Sequence, residues 1–357
     1  MGSIALGRTD VVIGVDTHKD RHAAVAVDGL GGRLGELSVD ATNEGYAELV
    51  AWAGSHGRVA AFGVEGTGSY GVGLARFLRR HGIRAIDVSR PPRRHERRLA
   101  GKNDTIDAEH AARAVLAGTA TATPKLANGA VEAIRLVKIA RDTAVKVQSQ
   151  AMITLKATVV TGTEELRAEL KPLTDFALVT ACAAFESADD ISDPADAMRH
   201  VLGSLARRWL ALHEEIKLHT RHLKTLTAAA APKLAEAFGI GFDSAAELLV
   251  TAGDNADRVR SEAAFAKLCG ACPIPASSGK TSRHRLNRGG NRQANAALYR
   301  VVIVRMRWHE PTIAYVTRRT NEGLSKKEII RCLKRYLARE VFGLLPVLVP
   351  QSVPEPA

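Results

Sequence analysis

The chain has 357 residues, a hydrophobic fraction of 46% and a formal net charge of +12. Its length predicts two or three domains, and its basic balance favours a polyanionic partner, most commonly nucleic acid. Four irregularly spaced cysteines do not imply a disulfide framework, and we interpret the lone C-x-x-C at Cys269 and Cys272 as core or turn residues. With no signal-peptide core and no apolar run long enough to span a bilayer, a cytoplasmic protein is expected.

Strand and helix patterns alternate over the first 120 or so residues. Helices are predicted after an N-cap at Asn43, through Leu74 and Phe77, and over 104–116. Three strands in a meander, followed by strand–helix units, are the order of the ribonuclease-H-like α/β fold. The predicted strands cover residues 10–16, 22–28, 33–39, 59–64 and 85–88.

A basic loop precedes the helix predicted over 104–116. Two prolines stiffen its start, and the loop is either a solvated surface or a nucleic-acid contact, of which we favour the contact. Its basic residues are Arg90, Arg93, Arg94, Arg97, Arg98 and Lys102.

The middle of the chain, about residues 129–227, is predicted to be helical. Its second half carries a heptad seam that must be buried against another helix. The partner is either the helix predicted over 131–157, in an antiparallel hairpin, or a second subunit, which would make a dimer or tetramer. The seam consists of Leu202, Leu205, Trp209, Leu212, Ile216, His219, Leu223 and Leu226.

The last third, about residues 232–345, is predicted to be a second compact unit. Residues 238–241 (F-G-I-G) and the helix after them resemble a helix-hairpin-helix, although the same pattern is also an ordinary helix-joining turn. The proline-rich tail from Pro346 is predicted to be disordered. About 16 basic residues follow residue 279 and predict a phosphate-binding surface, with Lys280, Arg283, Arg285, Arg288 and Arg292 nearest its start.

Four carboxylates stand where a strand ends or a helix begins. Asp16 and Glu65 end buried apolar strands, where a carboxylate is costly unless it is paired or bound to a cation. Asp104 and Asp107 lie three residues apart near a helix start and share one face. Each acid alone has a simpler explanation as a cap or turn residue. Together they predict a Mg²⁺ site with oxygen ligands, with two ions suited to phosphoryl transfer and Mn²⁺ as an alternative.

Three segments carrying these acids resemble the N-terminal catalytic segments of the insertion-sequence one-ten (DEDD) transposases, which are RNA-guided bridge recombinases. They are V-I-G-V-D-T-H-K-D, F-G-V-E-G-T-G-S-Y and K-N-D-T-I-D-A-E-H-A-A-R. The resemblance implies that Asp16, Glu65, Asp104 and Asp107 are the four acids of a RuvC-type domain.

The last third resembles the same family's C-terminal transposase domain through F-A-K-L-C-G-A-C-P-I-P-A-S-S-G-K and R-L-N-R-G-G-N-R-Q-A-N-A-A-L. The family's essential serine then corresponds to Ser278, with the adjacent Ser277 as the alternative. The segment C-P-I-P-A before this serine departs from the family pattern. A serine needs activation to act as a nucleophile. The resemblance implies that it attacks a DNA phosphate, and that a guide RNA and donor and target DNA are partners.

These observations predict a RuvC-like domain over 1–122, a helical coiled-coil linker over 123–230, a mainly α-helical serine transposase domain over 231–345 and a disordered tail over 346–357. The predicted activity is serine-dependent and metal-dependent DNA recombination. The alternatives are a RuvC-like junction resolvase or nuclease that hydrolyses DNA with acids and metal alone, and a non-enzymatic nucleic-acid-binding protein.

Overall fold

A computed structural model describes residues 7, 9–89, 103–186, 191–255, 257–277 and 284–346. These residues form two compact units, one within residues 1–127 and 252–260, the other within 128–251 and 261–346. Helices of the predicted linker and of the predicted C-terminal domain therefore lie in a single unit. The predicted three-part division stays a prediction.

The first unit is built on a five-stranded mixed sheet with the strand order β3-β2-β1-β4-β5. β1, β2 and β3 form an antiparallel meander, and β4 and β5 add to β1 in parallel. All five predicted strands are confirmed. The strands are β1 Asp10–Thr17, β2 Arg21–Asp28, β3 Arg33–Asp40, β4 Arg58–Glu65 and β5 Ala85–Val88.

Helices cover both faces of this sheet, because successive side chains of a buried strand point to opposite sides. Ile13 and Val15 pack with α1 (Asn43–Ser55) and α2 (Val72–Arg80). Val12 packs on the other face with α3 (Asp104–Leu116).

The N-caps of two of these helices differ from expectation. Thr42 caps α1 in place of the predicted Asn43, since its side chain accepts a hydrogen bond from the Gly45 amide. Asn103 caps α3, so Asp104 is the first residue of the helix and not its cap.

A short segment from late in the chain completes the first unit. Asn255 is buried there, and its side-chain amide donates to the Pro124 carbonyl at 3.2 Å and accepts from the Leu126 amide at 3.3 Å. Residues 252–260 thus belong to the unit built by the first 127 residues. No motif in the sequence indicates this return.

The second unit is almost entirely helical, apart from a two-stranded hairpin of β6 (Ile274–Pro275) and β7 (His284–Arg285). Across the part of the chain that the structure describes, no helix is long and apolar enough to cross a membrane. The helices are α4 Ala130–Val160, α5 Glu164–Leu170, α6 Asp175–Ala183, α7 Pro194–Ala230, α8 Pro232–Glu236, α9 Phe242–Ala252, α10 Glu262–Leu268, α11 Arg292–Trp308, α12 Glu310–Asn321 and α13 Lys326–Leu344.

The long helices α4 and α7 pack against each other as the predicted antiparallel hairpin. Arg141 of α4 donates to Thr220 of α7, whereas Gln148, two turns further on, donates to the carbonyl of Trp209. Residue numbers rise along one helix as they fall along the other. Of the eight seam residues, Leu202 and Leu223 are fully buried, and a regular coiled coil stays a prediction.

Candidate active site

Two of the predicted acids lie side by side at the end of the central strands. β1 and β4 are parallel with Val15 opposite Val64, and Asp16 and Glu65 are the next residues of the two strands. Asp16 is 8% exposed and Glu65 is 5% exposed. Both lie on the α3 face of the sheet.

Close packing of α3 brings the other two acids to this edge. A Cβ at Gly14 would lie 1.8 Å from the carbonyl oxygen of Ala108, so only glycine lets β1 approach α3 this closely. The Asn103 side chain caps the helix by accepting from the Thr105 amide at 3.1 Å. Asp104 and Asp107 therefore occupy the first turn of α3, where the helix N-terminus favours negative charge.

His18 joins these acids, although the sequence-based set of site residues does not contain it. It lies in the connection between β1 and β2, and its Nε2 is 3.2 Å from Asp16 Oδ2 and 3.4 Å from Asp104 Oδ1. The motif D-T-H could have indicated that His18 lies beside Asp16, because side chains two residues apart in an extended chain point to the same side.

The electrostatics of the cluster favour a bound cation. Burial raises the pKa of Asp16 above its usual range; His18 opposes this shift, and the charges of Asp107 and Asp104 reinforce it. Keeping Asp16 ionised is therefore costly unless positive charge is supplied.

The donor atoms fit such an ion. One ligand atom each from Asp16, His18 and Asp104 lies within 4.8 Å of the others. Carboxylate oxygens suit Mg²⁺ or Mn²⁺, and an imidazole nitrogen suits transition ions. Asp107 acts on Asp16 through its charge, and Glu65 lies at the neighbouring strand end.

A groove opens beside the cluster, lined by the β1–β2 connection and the loop after β4. Lys19 and Arg21 place positive charge there, although Arg21 is paired with Asp40 at 3.3 Å and Asp20 also lines the groove. Tyr70, which is 53% exposed, adds an aromatic side chain to the same lining. This combination suits a nucleic-acid strand, because cations bind phosphates and an aromatic ring can stack on a base.

The predicted serine region is flanked by the paired strands β6 and β7 of the second unit. Ile274 pairs with Arg285 and Pro275 with His284, and Ser277 is exposed just beyond the first strand. Ser278, Lys280 and Arg283 lie outside the described residues.

Two contacts fasten the base of this hairpin. The Asn287 side-chain amide donates to Cys272 Sγ at 3.0 Å. A Cβ at Gly290 would lie 2.5 Å from the Gly270 amide nitrogen, so the R-G-G-N loop presses directly on the turn after α10. Burial raises the pKa of the Cys269 thiol to about 12, as expected for an unreactive core residue.

The basic residues of the last third divide into two groups. Arg285, Arg288 and Arg292 are exposed, and within the described ranges no carboxylate lies within 4.0 Å of any of them, which leaves them available for phosphate. Other arginines of the last third form ion pairs with acids, namely Arg300, Arg305, Arg318, Arg319, Arg331, Arg335 and Arg339.

The predicted basic loop before α3 cannot be placed in the same way, because Arg93, Arg94, Arg97, Arg98 and Lys102 lie outside the described residues.

A mixed five-stranded sheet that gathers carboxylates at adjacent strand ends is typical of nucleic-acid-processing domains of ribonuclease-H-like fold. The family model for DEDD transposases of the IS110 type matches residues 13–162, and the model described as "Transposase IS116/IS110/IS902 family" matches residues 231–317. The two matches together cover about two thirds of the chain. The chain belongs to the IS110 family of transposases.

A relative from Streptomyces coelicolor, the "Insertion element IS110 uncharacterized 43.6 kDa protein", is similar to part of this chain. The two are 31% identical over 149 residues, which are 41% of this chain and 36% of the relative. The match therefore spans about a third of the relative's length.

Proposed function

We propose that this protein is a DNA transposase that mobilises an insertion sequence by metal-assisted serine attack on DNA phosphates and strand exchange, guided by an element-encoded RNA. The observation that carries the proposal is the meeting of Asp16, Glu65 and Asp104 at one sheet edge. Membership of a transposase family adds the class of reaction.

The role of the four acids is to hold metal ions next to the DNA phosphate. Asp16 and Asp104 bind a divalent cation, Glu65 and Asp107 complete the site, and two Mg²⁺ ions are the expected occupants. When bound, such ions would polarise a phosphate and stabilise charge on the attacking and leaving oxygens. Lys19 and Arg21 position the DNA backbone in the groove beside them.

Ser278, or Ser277 next to it, is the nucleophile. Its hydroxyl oxygen gives up a proton and forms a bond to a DNA phosphorus, while the bond from that phosphorus to the 3′ oxygen breaks and the 3′ oxygen takes a proton. The 3′ hydroxyl of a second strand then attacks the phosphoserine, forms the new phosphodiester and returns the serine hydroxyl. Bonds are exchanged without net hydrolysis.

The exposed arginines of the last third supply a surface for the polyanionic partners. Arg285, Arg288 and Arg292 bind backbone phosphates of donor DNA, target DNA or guide RNA. Pairing with RNA would select the target sequence, so the protein itself need read only shape and backbone. Because strand exchange holds two duplexes together, the working form is a dimer or tetramer, acting in the cytoplasm.

Trapping of a covalent intermediate tests the proposal. Purified protein is incubated with Mg²⁺, the element's flanking non-coding RNA and labelled donor and target DNA, and the products are separated on denaturing gels. Ser278→Ala, Ser277→Ala and Asp16→Ala are run beside the wild type.

A protein-linked DNA band that disappears in Ser278→Ala and in Asp16→Ala supports the recombinase. Loss of the band in Ser277→Ala, but not in Ser278→Ala, identifies Ser277 as the nucleophile. DNA cleavage that survives both serine substitutions, with no adduct, identifies a hydrolytic nuclease. Activity that survives Asp16→Ala contradicts metal catalysis at this site.

A further inference from the structure

We propose that His18 is a metal ligand, so that the site beside the sheet is a mixed nitrogen and oxygen centre that accepts Mg²⁺ but binds Mn²⁺ with higher affinity. This inference rests on the metal site of the proposed function and goes beyond the four acids. It concerns the geometry of three side chains: His18, Asp16 and Asp104.

The separations of the donor atoms carry the argument. His18 Nε2 lies 3.2 Å from Asp16 Oδ2 and 3.4 Å from Asp104 Oδ1. Charge-assisted hydrogen bonds between a cationic nitrogen and a carboxylate are shorter, about 2.7–2.9 Å. Neighbouring ligands of an ion at about 2.1 Å are separated by about 3.0 Å in an octahedron and about 3.4 Å in a tetrahedron. Both distances lie within the range of these polyhedron edges, and the shorter one is also that of a hydrogen bond between His18 and Asp16, which the experiment below distinguishes from coordination.

The three donors also come from elements that hold them independently. Asp16 belongs to β1, Asp104 begins α3, and His18 lies in the β1–β2 connection, where its amide donates to the Arg21 carbonyl at 3.2 Å. Gly14 keeps α3 against β1 and so fixes the distance between the two carboxylates. An ion at this point would meet ligands that need little rearrangement.

The donor set determines which ion is favoured. Mg²⁺ and Ca²⁺ prefer oxygen ligands, whereas imidazole binds transition ions well. Replacing His18 should therefore weaken Mn²⁺ binding by at least about tenfold, since even outer-shell partners of metal ligands contribute about 10–100-fold. Ca²⁺ binding, measured by competition with Mn²⁺, should change much less.

Pulsed electron paramagnetic resonance of Mn²⁺ bound to the full-length protein, without nucleic acid, tests this inference. A coordinated imidazole nitrogen modulates the electron spin echo of Mn²⁺. The variants are His18→Ala, His110→Ala as a matched control, and Asp16→Asn. His110 also lies near the acids in the chain, one turn beyond Asp107 on α3.

The expected result is a nitrogen modulation that is present in the wild type and in His110→Ala, and absent in His18→Ala, which still binds Mn²⁺ more weakly. Mn²⁺ binding without nitrogen modulation in the wild type, or modulation lost only in His110→Ala, overturns the inference and leaves the metal site intact. Failure of the wild type to bind Mn²⁺, or equal binding by Asp16→Asn, overturns the metal site itself and with it the metal-dependent part of the proposed function.

Discussion

Gly14 and Ala108 are in direct backbone contact: a Cβ added to Gly14 would lie 1.8 Å from the Ala108 carbonyl oxygen and 2.4 Å from the Ala112 amide nitrogen. This contact joins the strand that carries Asp16 to the helix that begins with Asp104. The spacing of the acid cluster therefore depends on the absence of a side chain at residue 14.

Replacing Gly14 by alanine should displace α3 and separate the acids. We expect Gly14→Ala to lower the free energy of unfolding by about 3 kcal/mol, at the upper end of usual overpacking costs, and to weaken Mn²⁺ binding. The measurements are chemical denaturation and Mn²⁺ titration. The control is Gly54→Ala in α1, where a Cβ meets nothing within 4 Å and alanine should stabilise the helix by about 0.5 kcal/mol. Normal Mn²⁺ affinity in Gly14→Ala would contradict the role given to this contact.

Asp16→Asn should stabilise the metal-free protein while it abolishes metal binding. Burial and the neighbouring acids raise the pKa of Asp16, so the folded state holds this proton more tightly than the unfolded state. At pH 7, well above the ordinary carboxyl pKa of 3.8, a raised folded-state pKa lowers stability, and a neutral amide removes that cost.

Thermal unfolding at pH 7 tests this expectation, first with a chelator and then with Mn²⁺. The Asn variant should melt above the wild type in chelator. With free Mn²⁺ at 100 times its Kd, the wild type should gain about 2.7 kcal/mol, and the variant almost nothing. Asp20→Asn, at an exposed acid of the same connection, is the control. A lower melting temperature for Asp16→Asn in chelator would refute the electrostatic account.

Gly290→Ala should impair the serine hairpin. Gly290 has φ +82° and its Cβ would lie 2.5 Å from the Gly270 amide nitrogen, whereas Gly323 has φ +86° and open space around it. Both substitutions carry the strain of a left-handed backbone, about 1–2 kcal/mol. Only Gly290→Ala adds a steric clash, so it alone should reduce the yield of the trapped DNA adduct. Equal adduct yields in the two variants would show that the contact between Gly290 and Gly270 is not needed for catalysis.

Lys334 should make stability rise with pH in the alkaline range. Its Nζ donates to Asn295 Oδ1 at 2.9 Å, and burial, helped by the charge of Arg331, lowers its pKa from the ordinary 10.5. Between the lowered folded-state pKa and 10.5 the unfolded state binds more protons, so the free energy of unfolding increases as pH rises. The raised pKa of the Cys269 thiol acts in the opposite direction above about pH 9, so the measurement is a difference between variants. The slope of the free energy of unfolding against pH, between pH 7 and 10, should be more positive in the wild type and in the exposed-site control Lys327→Met than in Lys334→Met.

Arg288 should contribute to the salt dependence of DNA binding, because it is exposed and forms no ion pair among the described residues. Arg288→Ala should reduce the slope of log Kobs against log salt by about 0.9 in magnitude, the effect of one phosphate contact. Arg339 is also well exposed but lies 2.6 Å from Glu262, so Arg339→Ala should change the slope less. Fluorescence anisotropy at several salt concentrations measures both, and equal slopes in wild type and Arg288→Ala would remove Arg288 from the binding surface.

Much of the fold and part of the site follow from the sequence alone. Short apolar segments, together with one alternating segment over 33–39, predict all five strands of the sheet, since strands have a strong local pattern. Asp16 and Glu65 are visible as carboxylates directly after such runs. The seam on α7 predicts burial against another helix, and of the two partners left open the structure has the antiparallel one, α4.

Tertiary structure decided what no local pattern encodes. The parallel register of β1 and β4 puts Asp16 beside Glu65, and the packing of α3 at Gly14 brings Asp104 within reach of His18. The return of residues 252–260 to the first unit is equally absent from the sequence pattern. Which arginines are free for phosphate also depends on distant acids such as Glu262. Each of these relationships joins residues far apart in the chain, and their distances are fixed only when the helices pack on the sheet and on one another.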